Sequence, residues 1–481
     1  MITFTSFNFL FFFPAVIIIF YVLPNGWRWK FILFASYFFY ISLEPVYAAI
    51  LLGITMITYL FPILIEKALS QKRKKTILIY NVILILLPLV FFKYFDFINA
   101  SLVNLLKGLG LHLPFPEIPF FMPLGISYYT FMSLSYSIDV YNEEIGAEKK
   151  FGIVALFLAF FPTVLSGPIE RAGNMFHQFK STLEFNYDKF VNGLQLMLWG
   201  YFMKFVIANR VGVYNKYIFD NVTRQNGHSV TVAVLLYPIQ VYADLAGYSL
   251  IAIGAARVMG IDVMQNFNRP FFATSMSAFW RRWHISLIKW LTDYIYMPLS
   301  YSLRKYKMVG IVTALMITFI ISGIWHGAAL TFVIWGTMQG IFLSVEAVTN
   351  KNKKAFVKKY KLSNRRWYLV LSCLFTYILF AFSEIFGGAV ANIHSVLLVI
   401  KKIFLDFHGP VYSESPSSTL FMIFGISLLF IAEAKEELFS SSHFFVNSKN
   451  LLVRYISYSV IVIVILLAGV FDESQFIYFQ F

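Results

Sequence analysis

The chain has 481 residues, of which 59% are hydrophobic and only 13% are charged. Soluble domains carry charge on roughly a quarter of their residues, so this composition excludes an ordinary soluble protein and predicts an all-α protein that crosses a membrane many times. The formal charge of +15 does not indicate a nucleic-acid partner, because the basic residues collect between apolar segments, as they do in the cytoplasmic loops of membrane proteins.

Apolar segments long enough to cross a bilayer recur from one end of the chain to the other. We predict crossings at about residues 7–23, 30–43, 46–66, 76–93, 121–141, 190–208, 230–258, 308–324, 327–347, 366–386, 416–434 and 451–471. With the first residues outside, this order brings the basic clusters to the cytoplasmic side. No polar block is long enough for a separate fold. Residues 1–481 are therefore predicted to form a single integral domain with about eleven or twelve crossings.

The segment 151–168 interrupts this series. It contains Pro162 and Pro168, and the ionisable residues Glu170 and Arg171 follow shortly after it. Proline breaks a helix, and non-helical backbone at membrane depth is tolerated only where protein or water satisfies it. We therefore predict a re-entrant segment around 151–189 and a second one around 259–300.

A polar face is predicted on the helix around residue 240. Gln240, Asp244 and Tyr248 recur at i, i+4 and i+8 among Leu, Val and Ala, so they share one side of the helix. Asp244 either faces a cavity or is a structural carboxylate bonded to a neighbouring helix.

The stretch 277–290 is predicted to form an amphipathic helix at the cytoplasmic interface, after the asparagine-rich turn Asn266-Phe267-Asn268-Arg269-Pro270. On a helical wheel Trp280, Trp283, Leu287 and Trp290 share one face, Arg282 and Lys289 lie opposite, and His284 lies at the boundary. A surface anchor explains the tryptophans and arginines. The turn and the boundary histidine favour a cytosolic ligand site.

His326 is the one ionisable side chain between Met308 and Val345. A titratable group at that depth is costly unless a cavity, water or a partner receives it, so His326 is a site candidate. The alternative is a packing histidine that donates to a backbone carbonyl. Gly323 and Gly327 would let backbone or substrate approach the ring closely.

Neither a metal nor a permanently bound cofactor is expected. The single cysteine, Cys373, lies in an apolar span, so it can build neither an intrachain disulfide nor a cysteine-rich metal site. His284 and His326 lack the dense histidine and carboxylate spacing of a zinc site.

Several motifs match those of one enzyme family. They are Pro123-Leu124-Gly125-Ile126-Ser127, Ser135 to Tyr141, Phe161 to Arg171, Asp244 to Ser249, Asn266 to Pro270, Phe279 to Leu287 and Trp325-His326-Gly327. On these residues the chain resembles the membrane-bound O-acyltransferases, in particular their bacterial alginate O-acetyltransferase-like branch. The core motifs lie within 121–348, whereas the helices within 366–471 diverge. Members often carry a Phe-Arg pair where this chain has Phe382-Ser383-Glu384.

The resemblance implies about 11–12 transmembrane helices with re-entrant and interfacial helices around a central tunnel, in the cytoplasmic (inner) membrane of a bacterium. It implies transfer of a short acyl group, acetyl, from the cytosolic donor acetyl-CoA to a hydroxyl on the outer face. The acceptor would be a cell-surface polysaccharide or exopolysaccharide, or a secreted SGNH-type acetyltransferase that relays the group. Membrane lipids would surround the helices.

Site roles follow from the same resemblance and from the chemistry of thioesters. His326 would be the general base, and His284 would position the thioester arm or polarise its carbonyl. The donor site would comprise Asn266, Trp283 and, for the coenzyme phosphates, Arg281, Arg282 and Lys289. Gln240, Asp244, His284 and Trp325 would line the passage, with His326 at its outer end.

Alternative functions remain open. One is D-alanyl transfer from a carrier protein to teichoic acid, and another is acylation of a lipid. A third, from a different class, is a transporter or exporter subunit that uses Asp244 and His326 as a proton relay. A pump would be expected to show internal repeats or a chain of carboxylates, and neither is evident in the sequence.

Overall fold

The computed structural model describes residues 2–108, 122–390, 392–439 and 450–472. The α-helices of these ranges are α1 Phe7–Val22, α2 Asn25–Leu43, α3 Pro45–Lys67, α4 Gln71–Gly108, α5 Ile126–Tyr141, α6 Phe151–Ala159, α7 Ala172–Lys180, α8 Tyr187–Tyr201, α9 Asn209–Asp220, α10 Gly227–Val258, α11 Met276–Trp280, α12 Ile285–Leu291, α13 Met297–Ser302, α14 Lys307–His326, α15 Leu330–Lys359, α16 Arg366–Glu384, α17 Ile393–Leu405, α18 Pro416–Phe439 and α19 Leu451–Ala468. Three π-helical turns, at Phe202–Ala208, Thr292–Tyr296 and Ile385–Ala389, extend α8, α12 and α16.

The predicted all-α polytopic membrane protein is confirmed. Within the described ranges, nine helical stretches are long and apolar enough to cross a membrane. They are Pro45–Lys67, Gln71–Phe95, Tyr187–Asp220, Gly227–Val258, Arg304–His326, Leu330–Lys359, Arg366–Ala389, Pro416–Phe439 and Leu451–Ala468. Phe7–Val22 is a shorter apolar helix. The predicted crossing at 121–141 begins at a residue outside the described ranges and corresponds to α5.

The described residues among 1–197 and 251–264 form one compact unit. Within it, α3 packs against α4, α5 and α6, and α5 is buried along almost its whole length. Gly125 precedes α5 with φ +78°, and a Cβ there would lie 2.0 Å from the carbonyl oxygen of Val164. Glycine is therefore required at this position both by its left-handed backbone and by the close approach.

The predicted re-entrant segment 151–168 is a short helix followed by turns. The nine residues of α6 span about 13 Å at 1.5 Å per residue, which is far less than the roughly 30 Å of a hydrocarbon core. Glu170 then connects this segment to Met264 and to α7. Its buried carboxylate accepts hydrogen bonds from the Met264 amide (2.5 Å) and the Asn174 side chain (2.8 Å), and burial raises its pKa.

The second unit comprises the described residues among 198–250 and 265–481. Its most extensive contact is between α14 and α15, which we call the α14–α15 hairpin. A Cβ on Gly323 would lie 2.3 Å from the carbonyl oxygen of Phe332, and one on Gly336 would lie 2.3 Å from that of Phe319. Small residues let membrane helices pack backbone to backbone in this way. The prediction of a single domain over 1–481 stays a prediction.

Two local predictions are wrong. The stretch 277–290 is not one continuous helix, because α11 ends at Trp280 and α12 begins at Ile285. The predicted crossings at 308–324 and 327–347 also place the turn between them too early, since α14 continues to His326 and the chain turns at 327–329.

Candidate active site

Between α11 and α12 the chain reverses at His284. The backbone there has φ 44° and ψ 51°, in the left-handed region that costs a side-chain-bearing residue about 1–2 kcal/mol. Two backbone hydrogen bonds flank the turn, from the Asn268 amide to the Arg282 carbonyl and from the Ile285 amide to the Asn266 carbonyl, both 2.8 Å. Strain that the surrounding structure enforces in this way is typical of functional sites.

Asn266 holds the turn through its side chain as well. Its amide group donates to Ser249 Oγ at 3.0 Å, and its side-chain oxygen accepts from Ser286 Oγ at 2.8 Å and from the Ser286 amide at 3.2 Å. The residue is 2% exposed. Asn266 therefore connects α10 to the first turn of α12 and fixes the backbone beside His284. A contact with the donor stays a prediction.

The His284 ring lies in an aromatic pocket rather than at a surface. It is 2% exposed, its centroid lies 6.0 Å from that of Phe267, and its Nδ1 has no hydrogen-bond partner among the described residues. Burial lowers the pKa of His284 to about 4, because the charged form loses its hydration. The ring is therefore neutral at pH 7 and keeps one nitrogen available to a ligand.

The left-handed backbone predicts an unusual order of stability at position 284. Glycine adopts this conformation without strain, so we expect His284→Gly to be more stable than His284→Ala by about 1–2 kcal/mol. Thermal unfolding in detergent micelles measures the difference. The matched control is His177, an exposed residue of α7, where alanine should be more stable than glycine by about 1 kcal/mol. An alanine variant at 284 at least as stable as the glycine variant would contradict the left-handed assignment.

His326 is the last residue of α14 and is half-buried. Its ring lies between two indoles, with centroid distances of 4.7 Å to Trp325 and 5.0 Å to Trp335. Both tryptophans are buried. The Trp335 Nε1–H donates to Glu384 Oε1 at 2.8 Å. The apolar helix α14 therefore ends in a titratable ring that contacts two indoles, one of which is hydrogen-bonded to a carboxylate.

The glycines near His326 serve helix packing. Gly323 packs against Gly336, as described above, and a Cβ on Gly327 would lie 2.1 Å from the Phe332 ring. As expected, backbone approaches closely at these glycines, and at Gly323 it is the backbone of α15.

A chain of ring contacts connects the two histidines. The successive centroid distances lie between 5.0 and 6.0 Å, through Phe267, Trp283, Phe279, Trp280 and Trp335. Trp283, which we predicted to bind the donor, is a buried member of this chain. Trp280 and Trp283, two of the three tryptophans predicted for an interfacial face, instead lie in this chain between the two histidines.

The predicted passage lined by Gln240, Asp244, His284 and Trp325 stays a prediction. A cavity of about 620 Å³ lies between α15, α16 and residues 274–276. None of the predicted site residues lines it.

The three basic residues predicted to bind coenzyme phosphates differ in their surroundings. Arg282 pairs with Glu437 at 2.8 Å. Arg281 is exposed and donates to Ser277 Oγ at 2.8 Å, and Lys289 is exposed on α12. Arg281 and Lys289 are therefore better placed for an added anion than Arg282, whose charge already has a carboxylate partner.

Asp244 is bonded to a neighbouring helical segment, as one of the two alternatives considered from the sequence requires. It accepts a hydrogen bond of 2.5 Å from Lys204 Nζ, and both side chains are 2% exposed or less. Lys204 lies in the π-helical turn Phe202–Ala208, and a Cβ on Gly247 would lie 3.2 Å from the Lys204 amide nitrogen. Close approach of α10 to this turn brings the two charges together.

Lys204 and several buried carboxylates were missed from the sequence. Lys204 interrupts an otherwise apolar run, and a lone charge in such a run indicates a buried partner. The Lys204–Asp244 pair could therefore have been suspected from the sequence. Glu384 is a lone charge in the apolar run of α16 and carried the same signal. Glu433, which accepts from Tyr242 Oη at 2.5 Å, lies among other charged residues and had none. Gln240, which was predicted, accepts from the Asn215 side chain at 2.8 Å.

The sequence of this chain is similar to those of several known membrane enzymes. The model of the membrane-bound O-acyltransferase family matches residues 150–386. A probable alginate O-acetylase of Pseudomonas syringae pv. tomato is 33% identical over 76% of this chain and 69% of the relative. The peptidoglycan O-acetyltransferase of Helicobacter pylori is 30% identical over 79% of this chain and 73% of the relative. The teichoic acid D-alanyltransferase of Bacillus subtilis is 28% identical over 64% of this chain and 76% of the relative.

Proposed function

This chain belongs to the membrane-bound O-acyltransferase family, and from that premise we propose that it moves an acetyl group from cytosolic acetyl-CoA to a polysaccharide hydroxyl outside the cytoplasmic membrane of a bacterium. The observation that carries the proposal is the position of His326. Its half-buried ring ends an apolar helix and lies between two buried indoles. The polysaccharide class is supported by relatives named for alginate and peptidoglycan acetylation.

The reaction needs one proton acceptor. His326 takes the proton from the acceptor hydroxyl while its oxygen attacks the thioester carbonyl carbon. The carbon–sulfur bond then breaks, and the same proton passes to the leaving thiolate. The products are the acetyl ester and free coenzyme A, and His326 returns to its neutral form.

His284 acts on the donor. Its ring is neutral at pH 7 and has an unused nitrogen, so it can donate a hydrogen bond to the thioester carbonyl as negative charge develops on that oxygen. The fixed left-handed backbone orients the ring before the donor arrives, which removes the cost of ordering it during the reaction.

A proton relay through Asp244 is disfavoured as a competing function. Asp244 is paired with Lys204 at 2.5 Å in a buried position, so its carboxylate already has a structural partner. D-alanyl transfer is the second candidate, and it is favoured by similarity to the teichoic acid D-alanyltransferase.

The two candidates are distinguished in oriented bacterial membrane vesicles that contain this chain. Radiolabelled acetyl-CoA is supplied to the cytoplasmic face only or to the outer face only, with polysaccharide on the outer face. We expect labelled ester only in the first arrangement. A D-alanyl-charged carrier protein is tested in parallel, and product from it alone would favour D-alanyl transfer. Product that requires an added secreted acetyltransferase would indicate a relay.

Removing the exposed positive charges of the donor site should weaken donor binding. We expect Arg281→Gln combined with Lys289→Gln to raise the KM for acetyl-CoA about 2- to 30-fold, since exposed ion pairs contribute about 0.2–1 kcal/mol each, with kcat little changed. Lys358→Gln combined with Lys359→Gln removes the same charge from the exposed end of α15 and should leave the KM unchanged. An equal rise in both double variants would indicate a general surface-charge effect.

A further inference from the structure

Glu384 is a buried carboxylate that the proposed mechanism does not use. It lies at the end of α16 and is 5% exposed. Its Oε1 accepts the Trp335 indole hydrogen at 2.8 Å. Ionisable residues inside membrane helices are costly, so such a residue calls for a functional explanation.

The Trp335 ring has little freedom to turn. Glu384 fixes its nitrogen end, and the backbone after α16 presses on its edge, because a Cβ on Gly387 would lie 2.7 Å from Trp335 Cδ1. On another side Trp280 packs against the ring in a T-shaped arrangement at 5.9 Å. Trp335 itself is 4% exposed.

Trp335 presents this fixed ring to His326. The two ring planes meet at 78° with centroids 5.0 Å apart, the edge-to-face geometry in which aromatic contacts are favourable. We propose that Glu384 is a positioning residue that locks the Trp335 indole and, through it, orients the His326 ring. The catalytic consequence rests on the proposed role of His326 as general base.

A neighbouring bond between α15 and α16 provides the control. Gln339 lies one turn after Trp335 on α15, and its Nε2 donates to Ser383 Oγ at 2.7 Å. This bond joins the same two helices but does not involve Trp335 or His326. If Glu384 only held α15 and α16 together, Ser383→Ala would therefore lower kcat as Glu384→Leu does.

The test compares Glu384→Gln, Glu384→Leu, Trp335→Phe and Ser383→Ala. We expect Glu384→Leu and Trp335→Phe to lower kcat about 10- to 100-fold, the scale of a small misplacement of a catalytic group, with little change in the KM for acetyl-CoA. Glu384→Gln should retain most of the activity, because the amide oxygen accepts the same indole hydrogen. Ser383→Ala should keep kcat. The double variant of Glu384→Leu with Trp335→Phe should be no worse than the worse single change.

A second readout does not depend on catalysis. Diethyl pyrocarbonate modifies imidazole, and mass spectrometry of the peptide that contains His326 gives its modification rate. That rate should change in Glu384→Leu and Trp335→Phe but not in Glu384→Gln or Ser383→Ala.

Two results would overturn the proposal. One is an unchanged His326 modification rate in folded Glu384→Leu and Trp335→Phe protein. The other is a Glu384→Gln variant as impaired as Glu384→Leu. If His326→Ala stays active, the general-base role fails, and the modification rates still decide whether Glu384 positions the ring. If Glu384→Leu does not fold, kcat and the His326 modification rate are compared between Trp335→Phe and Glu384→Gln instead.

Discussion

Replacing His326 by alanine is expected to lower the rate of acyl transfer by about 10²- to 10⁴-fold, the usual contribution of a general base. The fold should survive the change. The ring is only half-buried at the end of α14, and the α14–α15 hairpin packs closely at Gly323 and Gly336, away from this ring.

The measurement is acetyl-ester formation in vesicles, with folding checked by size-exclusion chromatography. His177→Ala removes a histidine from the exposed face of α7 and should leave the rate unchanged. Wild-type rates from folded His326→Ala protein would remove His326 from the mechanism.

Breaking the Lys204–Asp244 pair is expected to produce the largest loss of stability. Removing one member of a buried ion pair leaves an uncompensated charge and costs about 3–5 kcal/mol. We therefore expect Lys204→Met and Asp244→Asn each to destabilise the protein strongly, whereas the double variant should lose much less than the sum of the two, since neither charge is then left alone.

Unfolding in detergent measures this cycle. The control is Lys189→Met, which breaks the exposed pair with Asp262 (2.7 Å, 42% and 52% exposed) and should cost no more than about 1 kcal/mol. Additive losses in the Lys204 and Asp244 variants would mean that the two residues act separately.

The helices could be predicted well from the sequence, because crossing a bilayer imposes a long apolar run with charged ends. The predicted crossings at 7–23, 46–66 and 451–471 correspond closely to α1, α3 and α19. Local composition carries this information, so no knowledge of distant residues is needed.

The break at His284 could not be predicted in the same way. A left-handed residue is normally signalled by glycine or asparagine, and here it is a histidine held by Asn266 and Asn268 from a preceding segment. The helical wheel assumed continuous helix from 277 to 290 and therefore misplaced the tryptophans on a surface.

Contacts between distant segments explain the remaining differences. Both His284 and His326 were identified as candidates because each is an unusual residue in its local setting. Glu384 was missed although its lone charge was a signal, and its partner, the Trp335 indole, lies 49 residues away. No periodicity within α16 indicates such a contact.

The acidic end of α18 limits how this enzyme can be recombined with its relatives. Glu437 pairs with both Arg269 and Arg282, and Glu436 also pairs with Arg269, so the divergent helix supplies countercharges to the motif-bearing core. A chimaera that joins this core to the C-terminal helices of another family member would leave both arginines without these partners, unless acidic residues stand at the equivalent places. The junction between the similar and the dissimilar parts of the chain is therefore not a neutral crossover point, and exchanges there have to carry the arginines and the glutamates together.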